Sequence, residues 1–233
     1  MKQIAVFLIF LTAGILVSCK KSSPQGMITQ PPAQSTYTFL ALGDSYTIGQ
    51  SVAEAERFPN ITVELLRNMG KGSSVPKIIA TTGWTTTNLL AAINANPPGD
   101  NYDVVTLLIG VNNQYQGRSL TEYRTEFTQL LVKSIQFARG NPSHVFVLSI
   151  PDYSVTPFAQ NSDTARIARE IDLFNAANRE IANAYGVNYL DITPISREGR
   201  TDASLHATDG LHPSGKQYRR WATLLAPSVA PTI

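Results

Sequence analysis

A single cysteine in 233 residues excludes any intrachain disulfide. A domain of this size does not need one to build an adequate core. Charge is also scarce: 15% of residues are Asp, Glu, Lys or Arg, and the formal net charge is +2. Lys and Arg are scattered, with no basic face and no interleaved aromatics, so nothing marks a nucleic-acid binder. There is no internal repeat. The one long apolar run that stands apart, residues 4–17, is too short to span a bilayer comfortably. With 43% hydrophobic residues, the rest is ordinary globular composition rather than a disordered chain.

That apolar run follows Met1-Lys2 and ends in Leu16-Val17-Ser18-Cys19. A positive start and a short apolar core suit a signal peptide. The end of the run resembles the bacterial lipobox, in which cleavage precedes the cysteine and its thiol carries a diacylglyceryl group. The resemblance implies a signal peptide over 1–18, lipidation of Cys19, and an exported protein held to a bacterial membrane. An uncleaved anchor, or a plain signal peptide with an incidental cysteine, is the alternative. Residues 19–36 are rich in Ser, Pro, Gln and Thr and poor in large apolar side chains. Such a stretch cannot bury enough surface to fold alone and reads as a flexible tether. A folded domain is expected over 37–233. The sequon Asn60-Ile61-Thr62 carries little weight in a bacterial protein.

Within the domain, strand and helix patterns alternate five times. Strands are expected at 37–42, 75–80, 103–109, 145–150 and 187–190. The third of these leaves almost no polar face, as in a parallel sheet buried on both sides. Helices are expected at 58–69, 88–95, 120–139, 163–185 and 215–225. Apolar stripes support the two longest: Tyr123, Phe127, Leu130, Leu131, Ile135 and Ala138 in one, and Ile167, Ile171, Phe174, Ile181 and Tyr185 in the other. The pattern predicts one three-layer α/β/α domain with a five-stranded parallel sheet and right-handed crossovers.

The polar residues that matter lie just past the strands, where α/β folds place their ligands. Gly43-Asp44-Ser45 follows the first strand, and a serine hydroxyl there is well placed for chemistry, although the same tripeptide is an ordinary turn. Acyl transfer by serine needs a base, a group that orients the base, and donors for an oxyanion. Asp209-Gly210-Leu211-His212-Pro213 offers the first two. The bend at Gly210 lets Asp209 fold back onto one imidazole nitrogen and leaves the other free for the serine proton. His212 also reads as a loop histidine before a helix that starts at Pro213. Gly83 after the second strand and Asn112 after the third could supply a backbone N–H and a side-chain amide, with Ser45 N–H as a third donor. Taken singly, Gly83 is also a turn glycine and Asn112 a helix cap.

Together these stretches resemble the SGNH, or GDSL, hydrolase family (GDSL-like lipase/acylhydrolase). Ser45, Gly83, Asn112 and His212 stand in the order of its four letters, and the resemblance covers about residues 39–225. It implies a flavodoxin-like sheet and metal-free ester hydrolysis without a cofactor. Ser45 would be nucleophile, His212 base, Asp209 its orienter, and Ser45 N–H, Gly83 and Asn112 the oxyanion hole. One departure stands out: the family's usual Gly-x-Asn-Asp is here Gly110-Val111-Asn112-Asn113. Thr47 in place of a second glycine argues against the Gly-x-Ser-x-Gly elbow of α/β-hydrolases. The substrate would be an acetylated carbohydrate or a lysophospholipid-like lipid. The alternative is an inactive surface protein that binds glycan or lipid on the same scaffold.

Other signals carry less. Residues 210–216 fit most of a phosphate-binding loop, but Gln217 stands where Ser or Thr is needed. His206, His212, Asp202 and Asp209 match no zinc spacing. His206 is a rival base near the cleft mouth but lacks an acid three residues before it. Trp84, Tyr46 and Tyr115 are candidates to line a pocket, as is the loop 150–158 for a pocket wall.

Overall fold

The computed structural model describes Met1, residues 36–72 and residues 74–233. The expected lipidation site Cys19 and nearly all of the leader and tether lie outside the described residues. Five parallel strands form one sheet in the order β2-β1-β3-β4-β5. In chain order the elements are β1 (Phe39–Gly43), α1 (Ser45–Ile48), α2 (Phe58–Asn68), β2 (Lys77–Ala80), α3 (Thr86–Ala95), β3 (Val104–Leu108), α4 (Val111–Tyr115), α5 (Leu120–Phe137), β4 (Val145–Leu148), α6 (Thr164–Ala184), β5 (Asn188–Leu190), α7 (Thr193–Arg197) and α8 (Gly215–Val229). This is the α/β/α architecture that the sequence pattern predicts, with the flavodoxin-like strand order that the family resemblance implies.

Every residue of β1 and β3 is buried. Each strand is paired on both edges and covered on both faces, which is why both read as nearly continuous apolar runs, with Thr106 the one polar side chain. β1 pairs with β3 from Phe39↔Val104 to Gly43↔Leu108, and with β2 from Leu40↔Lys77 to Gly43↔Ala80. The chain leaves β1 toward β2 on one side, and then moves from β2 back across to β3, β4 and β5. Right-handed crossovers therefore put α2 on one face of the sheet and α3, α5 and α6 on the other. The packing agrees: α2 lies against α8, α3 against α5, and α5 against α6.

Under α1, the α2–α8 layer is aromatic. Tyr218 and Trp221 of α8 meet Phe58 of α2, and Trp221 meets Tyr46 edge-on at 6.3 Å. Tyr218, Trp221 and Phe58 are fully buried. The opposite layer centres on Tyr123 of α5, whose hydroxyl donates to Asn178 Oδ1 at 2.6 Å beside the Ile109 carbonyl. That ring packs against the turn after β3. Gly110 there has φ +132°, and a Cβ would collide with Tyr123 and Ile150. At the matching point after β1, a Cβ on Gly43 would collide with the Thr47 side chain and the Leu108 carbonyl. Both glycines let a turn close tightly over its own strand end.

The structure departs from the sequence pattern at several element ends: β2 starts at Lys77, α3 starts at Thr86 and β4 stops at Leu148, and three further departures have a clear cause. The first strand begins at Phe39 rather than Tyr37, because Thr38 instead bonds the Asp103 carboxylate through N–H and hydroxyl. Tyr185 does not face inward: α6 ends at Ala184, and Tyr185 is 41% exposed. The last helix does not stop at 225. It continues through Pro227 to Val229, because Ala226 and Val229 bury their side chains. Among the described residues, no helix is long and apolar enough to cross a membrane.

Candidate active site

The strand order reverses between β1 and β3, and the residues after their carboxyl ends meet in one cavity of about 180 Å³. Ser45, Gly83, Asn112 and His212 all line it. The four polar positions expected from sequence are therefore brought together. A larger cleft of about 420 Å³ runs along α6 and α7. Its charges are already paired, Arg179 with Asp191 and Arg197 with Asp172, and neither a serine nor a histidine lines it, so the chemistry favours the smaller cavity.

Asp44 caps α1, accepting the Tyr46 N–H on Oδ1 at 3.0 Å. This places Ser45 in the first turn, 5% exposed, on the cavity wall. Asp44 itself is fully buried, and burial drives its pKa up to about 7 against the backbone N–H groups of Tyr46 and Gly110. The second wall residue, Gly83, sits at φ +84° in a turn closed by Trp84 N–H on the Thr81 carbonyl at 3.2 Å. Positive φ at the third turn position is the type II geometry, which glycine adopts without strain. Thr82 donates to Gln50 Oε1 at 2.7 Å, tying this turn to the segment after α1. Asn112, in α4, donates one amide hydrogen to the Trp84 carbonyl at 2.9 Å. An amide nitrogen carries two hydrogens, so a second is left to serve the cavity.

His212 lies on a loop braced from several sides. Ala207 N–H donates to its carbonyl at 2.7 Å, and Ser214 N–H donates to Leu205 O at 2.8 Å. Its Nδ1 is 2.6 Å from Asp209 Oδ2. The other carboxylate oxygen, Oδ1, accepts the N–H groups of Leu211 and His212, both at 2.9 Å. Ser51 Oγ also donates to Oδ2, at 2.6 Å. Partial burial raises the Asp209 pKa, but these donors outweigh it and hold the carboxyl well below the usual carboxylate range. With Nδ1 engaged, Nε2 of His212 is the nitrogen free for proton transfer. Tyr46 supports the ring edge-on at 5.7 Å.

Apart from Thr82, the rest of the cavity is apolar and mostly aromatic: Tyr46, Val111, Tyr115, Tyr153, Phe158 and Leu211. Tyr46 and Tyr115 are there as expected from sequence, whereas Trp84 is partly buried against the core instead. The loop 150–158 does form a wall, supplying Tyr153 and Phe158. It is fixed by Asp152, which is buried and ion-paired to Arg197 at 2.9 Å, and by Phe158 N–H on the Gly210 carbonyl at 3.0 Å. Of the rival signals, His206 is held by its Nε2 contact to the Gly199 carbonyl at 3.0 Å and by a bridge to Pro213, and does not line the cavity. Lys216 is committed to Asp202 and Ser204. Among the described residues, no three His, Cys, Asp or Glu side chains are arranged to hold a metal ion.

Asn113 has a physical account. It is fully buried; its Oδ1 accepts Thr86 N–H at 3.0 Å, and its Nδ2 donates to Thr86 Oγ1 at 2.7 Å. The Thr86 hydroxyl gives its single proton to Glu126. Position 113 must therefore donate to that hydroxyl, which an amide does and an ionised carboxylate cannot. The pair joins the loop carrying Asn112 to the start of α3, just after Gly83.

The fold and the polar cluster define an α/β/α hydrolase of the SGNH type. The chain belongs to the GDSL-like Lipase/Acylhydrolase family, whose pattern it matches over residues 41–220; it is thus classed as a carboxylic ester hydrolase. Solved structures with the same fold include TesA (17% identity, TM-score 0.65, covering 84% of this chain and 99% of that one). A lipase/acylhydrolase from Enterococcus faecalis is similar at 16% identity and TM-score 0.64, covering 84% and 96%. Axe2, an acetylxylan esterase from Geobacillus stearothermophilus, is similar at 19% identity and TM-score 0.62, covering 83% and 94%. A search of curated proteins gives no significant match.

Two predictions follow from the buried polar groups. Asn113→Asp should lower unfolding stability by roughly 1–3 kcal/mol, since it leaves a buried donor site unmet beside Glu126. Adding Glu126→Gln should return much of that loss in a double-mutant cycle, and an additive result would overturn the account. For Asp44, the folded pKa lies above the unfolded value, so the native state binds the extra proton. Its contribution is full below about pH 4 and is lost as pH rises through about 7, by about 4 kcal/mol. Chemical denaturation of the wild type and Asp44→Asn at pH 4 to 8 should show the difference between them moving by that amount in favour of the variant.

Proposed function

We propose that Ser45 is the nucleophile of an acyl-enzyme mechanism. Its Oγ attacks the ester carbonyl while Nε2 of His212 takes the hydroxyl proton. The negative charge that develops on the carbonyl oxygen is met by Ser45 N–H, Gly83 N–H and the second amide hydrogen of Asn112. Collapse breaks the ester bond, and the imidazolium gives its proton to the departing alcohol. Water then attacks the acyl-enzyme by the same route, with His212 as base, and the acid is released with Ser45 restored. Asp209 orients the imidazole and stabilises its charged form without taking the proton itself. The observation that carries this reading is that Ser45, Gly83, Asn112 and His212 line one cavity while Asp209 holds the far side of the imidazole.

Cavity size supports a short acyl group. About 180 Å³ is below the roughly 300–1,000 Å³ of pockets that enclose larger ligands. Tyr153 and Phe158 stand on a wall fixed by the Asp152–Arg197 pair, so there is little room to open for a long chain. We favour an acetylated carbohydrate over a lysophospholipid. The leader sequence supports export and a lipid anchor on Cys19, and with them an activity at a bacterial envelope.

Hydrolysis of nitrophenyl esters from acetate to palmitate should be greatest at acetate. Ser45→Ala should reduce it roughly a thousandfold or more with the fold retained. Activity that rises with chain length would favour the lipid substrate. No Ser45-dependent hydrolysis of any ester would leave the binding-protein reading. In cells, fatty-acid labelling of the full-length protein should disappear in Cys19→Ser; persistent labelling would refute the anchor.

A further inference from the structure

Ser51 is one of two non-glycine residues among those described with left-handed backbone, at φ +67°. A side chain there carries a steric penalty that glycine does not. Its hydroxyl reaches 158 positions along the chain to donate to Asp209 Oδ2 at 2.6 Å. That is the oxygen to which His212 Nδ1 is bound, also at 2.6 Å. We infer that Ser51 is a positioning residue that tunes the base: by sharing the carboxylate oxygen with His212, it weakens the hold of Asp209 on the protonated imidazole. The inference rests on the proposed roles of His212 and Asp209.

The direction of the effect follows from the other carboxylate oxygen. Oδ1 is fixed by two backbone N–H groups, of Leu211 and His212. The carboxylate therefore keeps its orientation without Ser51, and what it loses is a proton donor on Oδ2. More negative charge then faces His212 Nδ1. An opposite charge close by favours the imidazolium, so the base becomes harder to deprotonate. In the intact protein, Ser51 lets Asp209 orient the ring without trapping it in the charged form, and the base works at lower pH.

Few other titratable groups face this pair. Tyr46 from α1 and Tyr218 from α8 lie within electrostatic reach, and burial pushes both hydroxyls up, so they stay neutral. Asp44 stands behind Tyr46. Asp152 is neutralised by Arg197. Arg57, whose side chain lies against Gly49, acts on Tyr218. None of them touches Asp209 Oδ2.

The test is a proton NMR titration of the imidazole rings, with His144 and His206 as internal references. Ser51→Ala and Ser51→Gly both remove the hydroxyl, but alanine keeps the backbone strain and glycine relieves it. Both variants should raise the His212 pKa by about half to one unit and leave the other two histidines unmoved. The acid limb of kcat/KM should move up equally, so that on this limb each variant, relative to its own plateau, falls about three- to tenfold below wild type. An unchanged or lowered His212 pKa, or a shift in only one variant, overturns the inference. The titration needs no turnover, so loss of the hydrolase reading, seen as absent Ser45-dependent hydrolysis, is distinguishable from loss of this one.

Discussion

Two-sided pairing of β1 is the constraint on which the rest depends. Hydrogen bonds to β2 on one edge and β3 on the other mean that consecutive connections leave the sheet in opposite directions. The helices between them therefore diverge to opposite faces, and a cleft opens where they part. Ser45, Gly83 and Asn112 come from the ends of β1, β2 and β3, which are adjacent in the sheet. Residues separated by dozens of positions reach one cavity because the strands that carry them are in register. The contribution from outside the sheet is the His212 loop, which Phe158 and Ser51 hold against that rim.

Polar groups at the rim are joined in pairs that cross between loops. Asn112 is tied to Trp84, Asn113 to Thr86, Thr82 to Gln50, and Asp209 to Ser51. The first three contacts link one strand end to another and the fourth ties the His212 loop to the segment after α1, so these positions are set by the scaffold and not by the flexibility of any one loop. Groups held this way do not need to reorganise as charge develops, which is the main source of electrostatic stabilisation in sites of this kind. Asp44 is the exception, since its buried carboxyl has an oxygen with no hydrogen-bond partner. Burial lifts its pKa to about 7, so its charge state changes near neutral pH.

Much of this was legible in the sequence, for identifiable reasons. The apolar runs of β1 and β3 announce strands buried on both faces, and alternation with amphipathic helices announces the layers. Ser45, Asp209 and His212 could be picked out as candidates because Gly-Asp-Ser and Asp-x-x-His are short local patterns. Gly83 and Asn112 are weaker, because a turn glycine and an asparagine are common after strands, and they gain meaning only from order. Tyr185 was misplaced because helical periodicity does not mark the last residue that still packs. Pro227 hid the end of α8, since a proline near a helix end is usually a stop. The reason for Asn113 lies in the proton of Thr86 and the acceptor on Glu126, and Ser51 meets Asp209 only through the tertiary fold. No spacing rule carries either contact.

Strand polarity has one more consequence. All five strands run the same way, and the cavity lies beyond their carboxyl ends. The chain enters the domain at Thr36 and Tyr37, at the amino end of β1. The chain therefore enters on the opposite side of the sheet from the cleft. Tyr37 is fastened there by its N–H on the Gly72 carbonyl and by its own carbonyl, which accepts from Ser74, so the start of the domain is fixed where it lines no part of the opening.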